Sequence, residues 1–118
     1  MKKILVADDE DILRILIADT LEDDFWIEEA EDGKEALQKI RENAYDLIIL
    51  DYMMPYLTGM EVLEQVRKEG NGTRVLMLTA KAQDADREQA ILKGADYFMS
   101  KPFSPMELLG LVEKIVAS

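Results

Sequence analysis

Five short β-rich runs, at residues 3–7, 25–29, 46–50, 74–78 and 96–99, alternate with five longer stretches of helical periodicity at 11–22, 33–42, 60–68, 84–93 and 104–117. This alternation is the strongest constraint on the fold, because strands separated by helix-length connections pair in parallel rather than as hairpins. A parallel sheet is covered on both faces by its crossover helices. The runs at 46–50 and 74–78 are apolar nearly throughout, as buried central strands must be, whereas Phe25-Trp26-Ile27-Glu28-Glu29 carries charge and reads as an edge. The fold class is α/β.

Five such units allow a flavodoxin-like, doubly wound sheet of five parallel strands in the order 2-1-3-4-5 with five helices. Its crevice then opens between the first and third strands. Two helix starts are well marked. Ser104-Pro105-Met106-Glu107 combines a cap, a first-turn proline and a capping-box glutamate, and Thr58-Gly59-Met60-Glu61 repeats the Thr-x-x-Glu pattern. Asn71-Gly72-Thr73 matches a glycosylation acceptor but reads as a turn. With 118 residues and neither a linker nor a repeat, residues 1–118 are expected to form one domain.

The ends of the apolar runs carry the chemistry. Ile4-Leu5-Val6-Ala7 leads into Asp8-Asp9, Leu47-Ile48-Ile49-Leu50 into Asp51, Val75-Leu76-Met77-Leu78 into Thr79-Ala80, and Tyr97-Phe98-Met99-Ser100 into Lys101-Pro102. Carboxyl ends of parallel strands share one edge, so three carboxylates, a hydroxyl and an ammonium converge there. That set suits a divalent cation and a phosphoryl group. Taken singly, the acids could cap a helix, Asp51 could shape a turn, and Lys101 could be a solvated charge. Their coincidence at four strand ends favours a site. A hard ion such as Mg²⁺ would relieve the repulsion among the carboxylates.

Composition excludes competing chemistries. The sequence has no histidine and no cysteine, which removes Ser-His-Asp catalysis, imidazole or thiolate metal ligation and disulfides. The formal charge of −11 disfavours direct contact with nucleic acid or an anionic membrane. No apolar run reaches membrane-spanning length and no secretory leader is evident, so a cytoplasmic protein is expected.

Val6-Ala7-Asp8-Asp9-Glu10, Asp51-Tyr52-Met53-Met54-Pro55 with Gly59, Thr79-Ala80, Gly94-Ala95-Asp96 and Lys101-Pro102-Phe103 together resemble the receiver domain of two-component response regulators. The resemblance covers essentially the whole chain and is nearest to single-domain chemotaxis regulators. It implies a signalling switch rather than a turnover enzyme, with Asp51 taking a phosphoryl group from a phosphohistidine. The donor would be a sensor histidine kinase or a histidine phosphotransfer protein. Asp9 and Asp51 would ligate Mg²⁺ directly, Asp8 through water, and the backbone carbonyl of Met53 would complete the protein's share. Lys101 would pair with the phosphoryl oxygens, and the Thr79 hydroxyl and the Ala80 N–H would bind them after transfer. Phe98 would be the aromatic that turns inward with Thr79. It lacks a phenolic hydroxyl, so that movement would rest on packing. The downstream target would bind the face formed by helix 4, strand 5 and helix 5, and Met53 and Lys81 would border the path of the hydrolytic water.

Two features depart from receivers attached to winged-helix domains. Gly94-Ala95-Asp96-Tyr97 replaces Gly-Ala-Asp-Asp-Tyr, and the last helix contributes only Lys114 to a basic face. A receiver excised from a larger DNA-binding regulator is the alternative within the family. A haloacid-dehalogenase-like phosphohydrolase is the alternative outside it, but that group needs a second aspartate where this chain has Met53. A phosphorylation-silent metal-binding domain is the remaining possibility. On the first helix, Ile12, Leu13, Ile15, Leu16 and Ile17 are too widely distributed for one buried stripe, so part of this surface is expected to be exposed for a donor to dock.

Overall fold

The computed structural model describes residues 1–80 and 84–118. Its elements run β1 (Lys3–Ala7), α1 (Asp11–Leu21), β2 (Trp26–Ala30), α2 (Gly33–Glu42), β3 (Leu47–Asp51), α3 (Gly59–Lys68), β4 (Val75–Thr79), α4 (Asp84–Leu92), β5 (Tyr97–Ser100) and α5 (Pro105–Ala117). All four strand pairings are parallel and the order in space is β2-β1-β3-β4-β5. The expected α/β architecture and strand order are both present. Most element ends move by one residue from the sequence reading, the usual uncertainty at frayed termini.

Strand alternation divides the interior into two layers. Leu5, Ile48, Leu50, Val75 and Met77 face one way and pack with Leu37, Leu63, Val66 and Ala90 of α2, α3 and α4. Ile4, Val6, Leu47, Ile49, Leu76 and Leu78 face the other way, onto Ile17, Leu21, Leu108 and Val112 of α1 and α5. Every residue of β3 and β4 is buried, whereas β2 has only Ala30 fully covered and Trp26 is 59% exposed. The charged run thus forms an edge strand, as expected.

Caps fix where helices begin on this frame. Thr58 Oγ1 accepts from the Glu61 N–H at 3.2 Å while Glu61 accepts from the Thr58 N–H at 3.0 Å, a complete capping box. Ser104 makes its half of the same arrangement, accepting from the Glu107 N–H at 3.1 Å with Pro105 in the first turn. Among the described residues no helix is long and apolar enough to cross a membrane.

Candidate functional site

Register brings the acids level. Ala7 pairs with Leu50, so Asp8 and Asp51 leave the sheet side by side. Asp8 is fully buried and held by its backbone, whose N–H donates to the Ala30 carbonyl at 3.1 Å. Its Oδ1 accepts from the Glu10 N–H at 2.9 Å. Its Oδ2 is buried, has no hydrogen-bond partner among the described residues and lies 3.6 Å from Lys101 Nζ. Asp51 is 3% exposed, and its Oδ1 accepts from Lys101 Nζ at 3.0 Å. Glu10 Oε1 stands 3.5 Å from the same ammonium. Asp8, Asp9 and Asp51 each offer a carboxylate oxygen, and these atoms all lie within 4.8 Å of one another.

Thr79 ends β4 and is also buried. The Lys101 N–H donates to the Thr79 carbonyl at 2.7 Å, which carries the β4–β5 pairing one step beyond the strands. The Lys101–Pro102 peptide is cis. Behind Asp51, α3 begins so close to β3 that a Cβ on Gly59 would come 2.3 Å from the Asp51 carbonyl oxygen. Only glycine fits there. The intervening loop turns at Tyr56, whose φ of 70° is left-handed.

Acids crowded this closely repel by about 3 kcal/mol per pair at about 5 Å and an effective dielectric near 20. Burial and the neighbouring Asp8 charge, working against Lys101, push Asp51 up to about 7. Burial likewise raises Asp8, although the Glu10 N–H and Lys101 oppose it. Burial works against the Lys101 ammonium, yet Asp51, Asp8 and Glu10 hold it above the ordinary lysine value. Three carboxylates face one ammonium, with Asp9 adjoining two of them, and a buried acidic oxygen has no donor among the described residues. An all-oxygen, anion-rich pocket of this kind fits a hard divalent cation.

Residues 4–113 match the family described as the response regulator receiver domain. The chain belongs to that family. It is 46% identical over 115 residues to the transcriptional regulatory protein ResD of Bacillus subtilis, covering 97% of this chain and 48% of ResD. The chain spans about half the length of the curated relatives it matches. Its fold superposes on a Francisella response regulator receiver domain with a TM-score of 0.95 at 36% identity, covering 99% and 98% of the two chains. A response regulator, TrrA of Thermotoga maritima in complex with Mg²⁺-BeF, matches at a TM-score of 0.86 and 38% identity, covering 98% and 99%.

In this receiver the strand-end residues read from the sequence do converge, with Asp8, Asp9 and Asp51 clustered, Lys101 against Asp8 and Asp51, and Thr79 on the adjoining strand. Ala80 follows at the exposed rim. Met53 is 59% exposed, and its side chain is not part of the acid cluster. Lys81 lies outside the described residues. Phe98 pairs with Met77 across β4–β5 and packs, half-buried, on the α2–α4 side of the sheet. By alternation Thr79 faces that same side. On α1, Ile12 is 86% exposed, with Ile15 and Leu16 also exposed, so the over-wide apolar face does reach solvent.

Two residues of the site lie outside the strand-end pattern. Glu10 belongs to the Val6–Glu10 motif without an assigned role, yet its carboxylate faces Lys101. Arg14 belongs to no motif. Its signal was a single charge inside the apolar run Ile12-Leu13-Arg14-Ile15-Leu16-Ile17.

Proposed function

We propose that residues 1–118 form a phosphorylation-dependent, cytoplasmic switch in which Asp51 receives a phosphoryl group from a phosphohistidine. The observation that carries this reading is the Asp51 carboxylate, buried at the end of a central strand, 3.0 Å from Lys101 Nζ and clustered with Asp8 and Asp9. In the transfer an Asp51 oxygen forms a new O–P bond as the N–P bond to the donor imidazole breaks, the electron pair remaining with the imidazole. Such a reaction needs alignment and charge neutralisation more than a strong base.

Asp9 and Asp51 would hold Mg²⁺ directly, Asp8 through water, and the Met53 carbonyl would share the shell. When bound, the ion supplies positive charge for the phosphoryl oxygens. Lys101 supplies the protein's own positive charge at the same place. The Thr79 hydroxyl and the Ala80 N–H would receive the phosphoryl oxygens afterwards, and a shift of Thr79 would reach Phe98 through the side of the sheet they share. The similar TrrA complex holds Mg²⁺-BeF, which supports this assignment.

The donor is a sensor histidine kinase or a histidine phosphotransfer protein, and the exposed Ile12, Ile15 and Leu16 beside the pocket are suited to its apolar surface. The downstream target would meet the α4–β5–α5 face, where Ile91, Leu92 and Met106 are exposed. A second reading, a receiver within a longer DNA-binding regulator, is favoured by the length and names of the curated relatives. In that case the nucleic-acid contacts belong to another domain, since this chain carries −11.

Incubation with acetyl phosphate and Mg²⁺ tests the acceptor. Intact-mass spectrometry is expected to show one added phosphate on the wild type and none on Asp51→Asn. Equal labelling of the variant would remove Asp51 from its role.

A further inference from the structure

Arg14 lies on α1 and is 6% exposed although its neighbours in sequence, Ile12, Ile15 and Leu16, face solvent. Every nitrogen of its guanidinium donates. Nε donates to Glu29 Oε1 at 3.0 Å and Nη2 to Asp11 Oδ1 at 2.8 Å, with Glu31 Oε1 at 3.5 Å. Nη1 donates to the backbone carbonyl of Asp8 at 2.9 Å.

Three carboxylates already neutralise this buried cation, as a buried guanidinium requires. The bond to the Asp8 carbonyl adds little charge compensation; what it adds is position. The Asp8 peptide is tied on one side to Ala30 of β2 and on the other to Arg14. With the backbone clamped, Oδ1 is committed to the Glu10 N–H and Oδ2 is left for the pocket. Arg14 therefore stands one residue behind the acid cluster, joining it to the end of β2 and the start of α1.

We propose that Arg14 is a positioning residue of the cation pocket, holding Asp8 in the orientation that presents Oδ2 to the water bridging it to a bound divalent ion. This rests on reading the Asp8–Asp9–Asp51 cluster as an Mg²⁺ site. Charge and position make opposite demands here. Removing a nearby positive charge, and freeing the carboxylates of Asp11, Glu29 and Glu31, would by electrostatics alone tighten the binding of a cation. Loosening Asp8 would weaken it, because the groups that orient metal ligands typically govern affinity by about 10- to 100-fold. The sign of the change separates the two.

The experiment is calorimetric titration of MgCl₂ into the wild type, Arg14→Met and Arg14→Lys, together with hydrogen exchange of the metal-free proteins. Arg14→Met is expected to bind Mg²⁺ about tenfold more weakly. Arg14→Lys keeps the charge but replaces the planar fork by a point donor, so its affinity is expected to fall between the other two. In the metal-free protein the Glu10 amide, which donates to Asp8 Oδ1, is expected to exchange faster in Arg14→Met by a larger factor than the amides of Val75–Thr79. Equal or tighter Mg²⁺ binding by Arg14→Met would overturn the proposal and leave Arg14 as a structural ion pair. If the wild type itself binds no Mg²⁺, it is the cation reading that fails. The Glu10 amide then decides alone, and a rate that changes no more than those of Val75–Thr79 would overturn the positioning role.

Discussion

Arg67 and Lys101 are cations set among oxygen acceptors at opposite ends of the sheet, and only Arg67 is matched to its surroundings. Near the start of β4 and β5, Arg67 donates from Nε and Nη2 to the Gly94 carbonyl, from Nη1 to the carbonyls of Asn71 and Thr73, and from Nη2 to Asp96 Oδ2. Asp96 Oδ2 also accepts from the Val75 N–H at 2.9 Å. Gly94, at a φ of 110°, lies so close that a Cβ would meet Arg67 Cγ at 2.9 Å. At the other end Lys101 faces Asp8, Glu10 and Asp51 at once, and Asp8 Oδ2 has no hydrogen-bond donor among the described residues. One end has its polar groups satisfied and ties three segments together. The other is held short of positive charge by the fold around it, and that deficit is what a cation or a phosphoryl group with its counterion can use.

The largest expected effect comes from breaking the matched end. Arg67→Met would leave three carbonyls and Asp96 without their shared donor, at a cost of about 3 kcal/mol. Urea denaturation should show a lower midpoint with little change in slope. A loss below about 0.5 kcal/mol, the ordinary range of surface substitutions, would remove the contrast between the two ends.

The mismatched end should respond in the opposite direction. Asp51 titrates near 7 in the folded protein, above its ordinary 3.8, so the folded state holds a proton that the unfolded chain releases between those values. Stability contributed by this group is therefore full below about pH 4 and falls as pH rises toward about 7. Without metal, Asp51→Asn escapes that loss. It should gain on the wild type across this window, reaching about 2 kcal/mol at pH 8 once partial relaxation of the pocket is allowed for. Mg²⁺ at 100 times its dissociation constant should restore about 2.7 kcal/mol to the wild type. Thermal melts at pH 4 and pH 8, with and without Mg²⁺, measure both effects. A pH-independent difference between the two proteins would contradict the crowding of Asp8 and Asp51.

The smallest effect sharpens the comparison at the rim. Met53 is exposed and offers neither a donor nor a strong acceptor to hold a water near Asp51. Met53→Asn is expected to speed loss of phosphate severalfold at unchanged Mg²⁺ affinity, followed after removal of the donor. An unchanged or slower rate would show that this side chain does not govern access of water.

Much of this architecture was legible because it depends on periodicity and on what ends each run. Leu47–Leu50 and Val75–Leu78 had to be covered on both faces, Glu28 and Glu29 had to be at an edge, and the Thr58 capping box marked the start of α3 to within a residue. The acids and Lys101 could be placed together because parallel strands share an edge. Arg14 was not legible, since its partners Glu29 and Glu31 come from a neighbouring strand end, and a single charge inside the apolar run Ile12–Ile17 does not by itself tell a buried arginine from an exposed one. Asp96 was read only as half of a shortened acidic pair. Its work as the acceptor for Arg67 and the Val75 N–H depends on α3, which lies some thirty positions earlier.

The strand pairings also set a stagger across the site. Asp8 and Asp51 leave the sheet at one level, Leu78 is the partner of Asp51, so Thr79 stands one residue further out, and Ser100 is the partner of Thr79, so Lys101 stands one further still. At about 3.3 Å per residue and about 4.8 Å between strands, the Lys101 backbone is about 7 Å above Asp51 and about 10 Å to the side. The four-carbon stem of Lys101 must therefore slope down across the end of β4 to touch the carboxylate. Negative charge added to Asp51 would sit roughly one step higher, near the level of Thr79. The ammonium can follow it by swinging about its own stem, like the tip of a lever, while the backbone at both ends of the span stays where the sheet has fixed it.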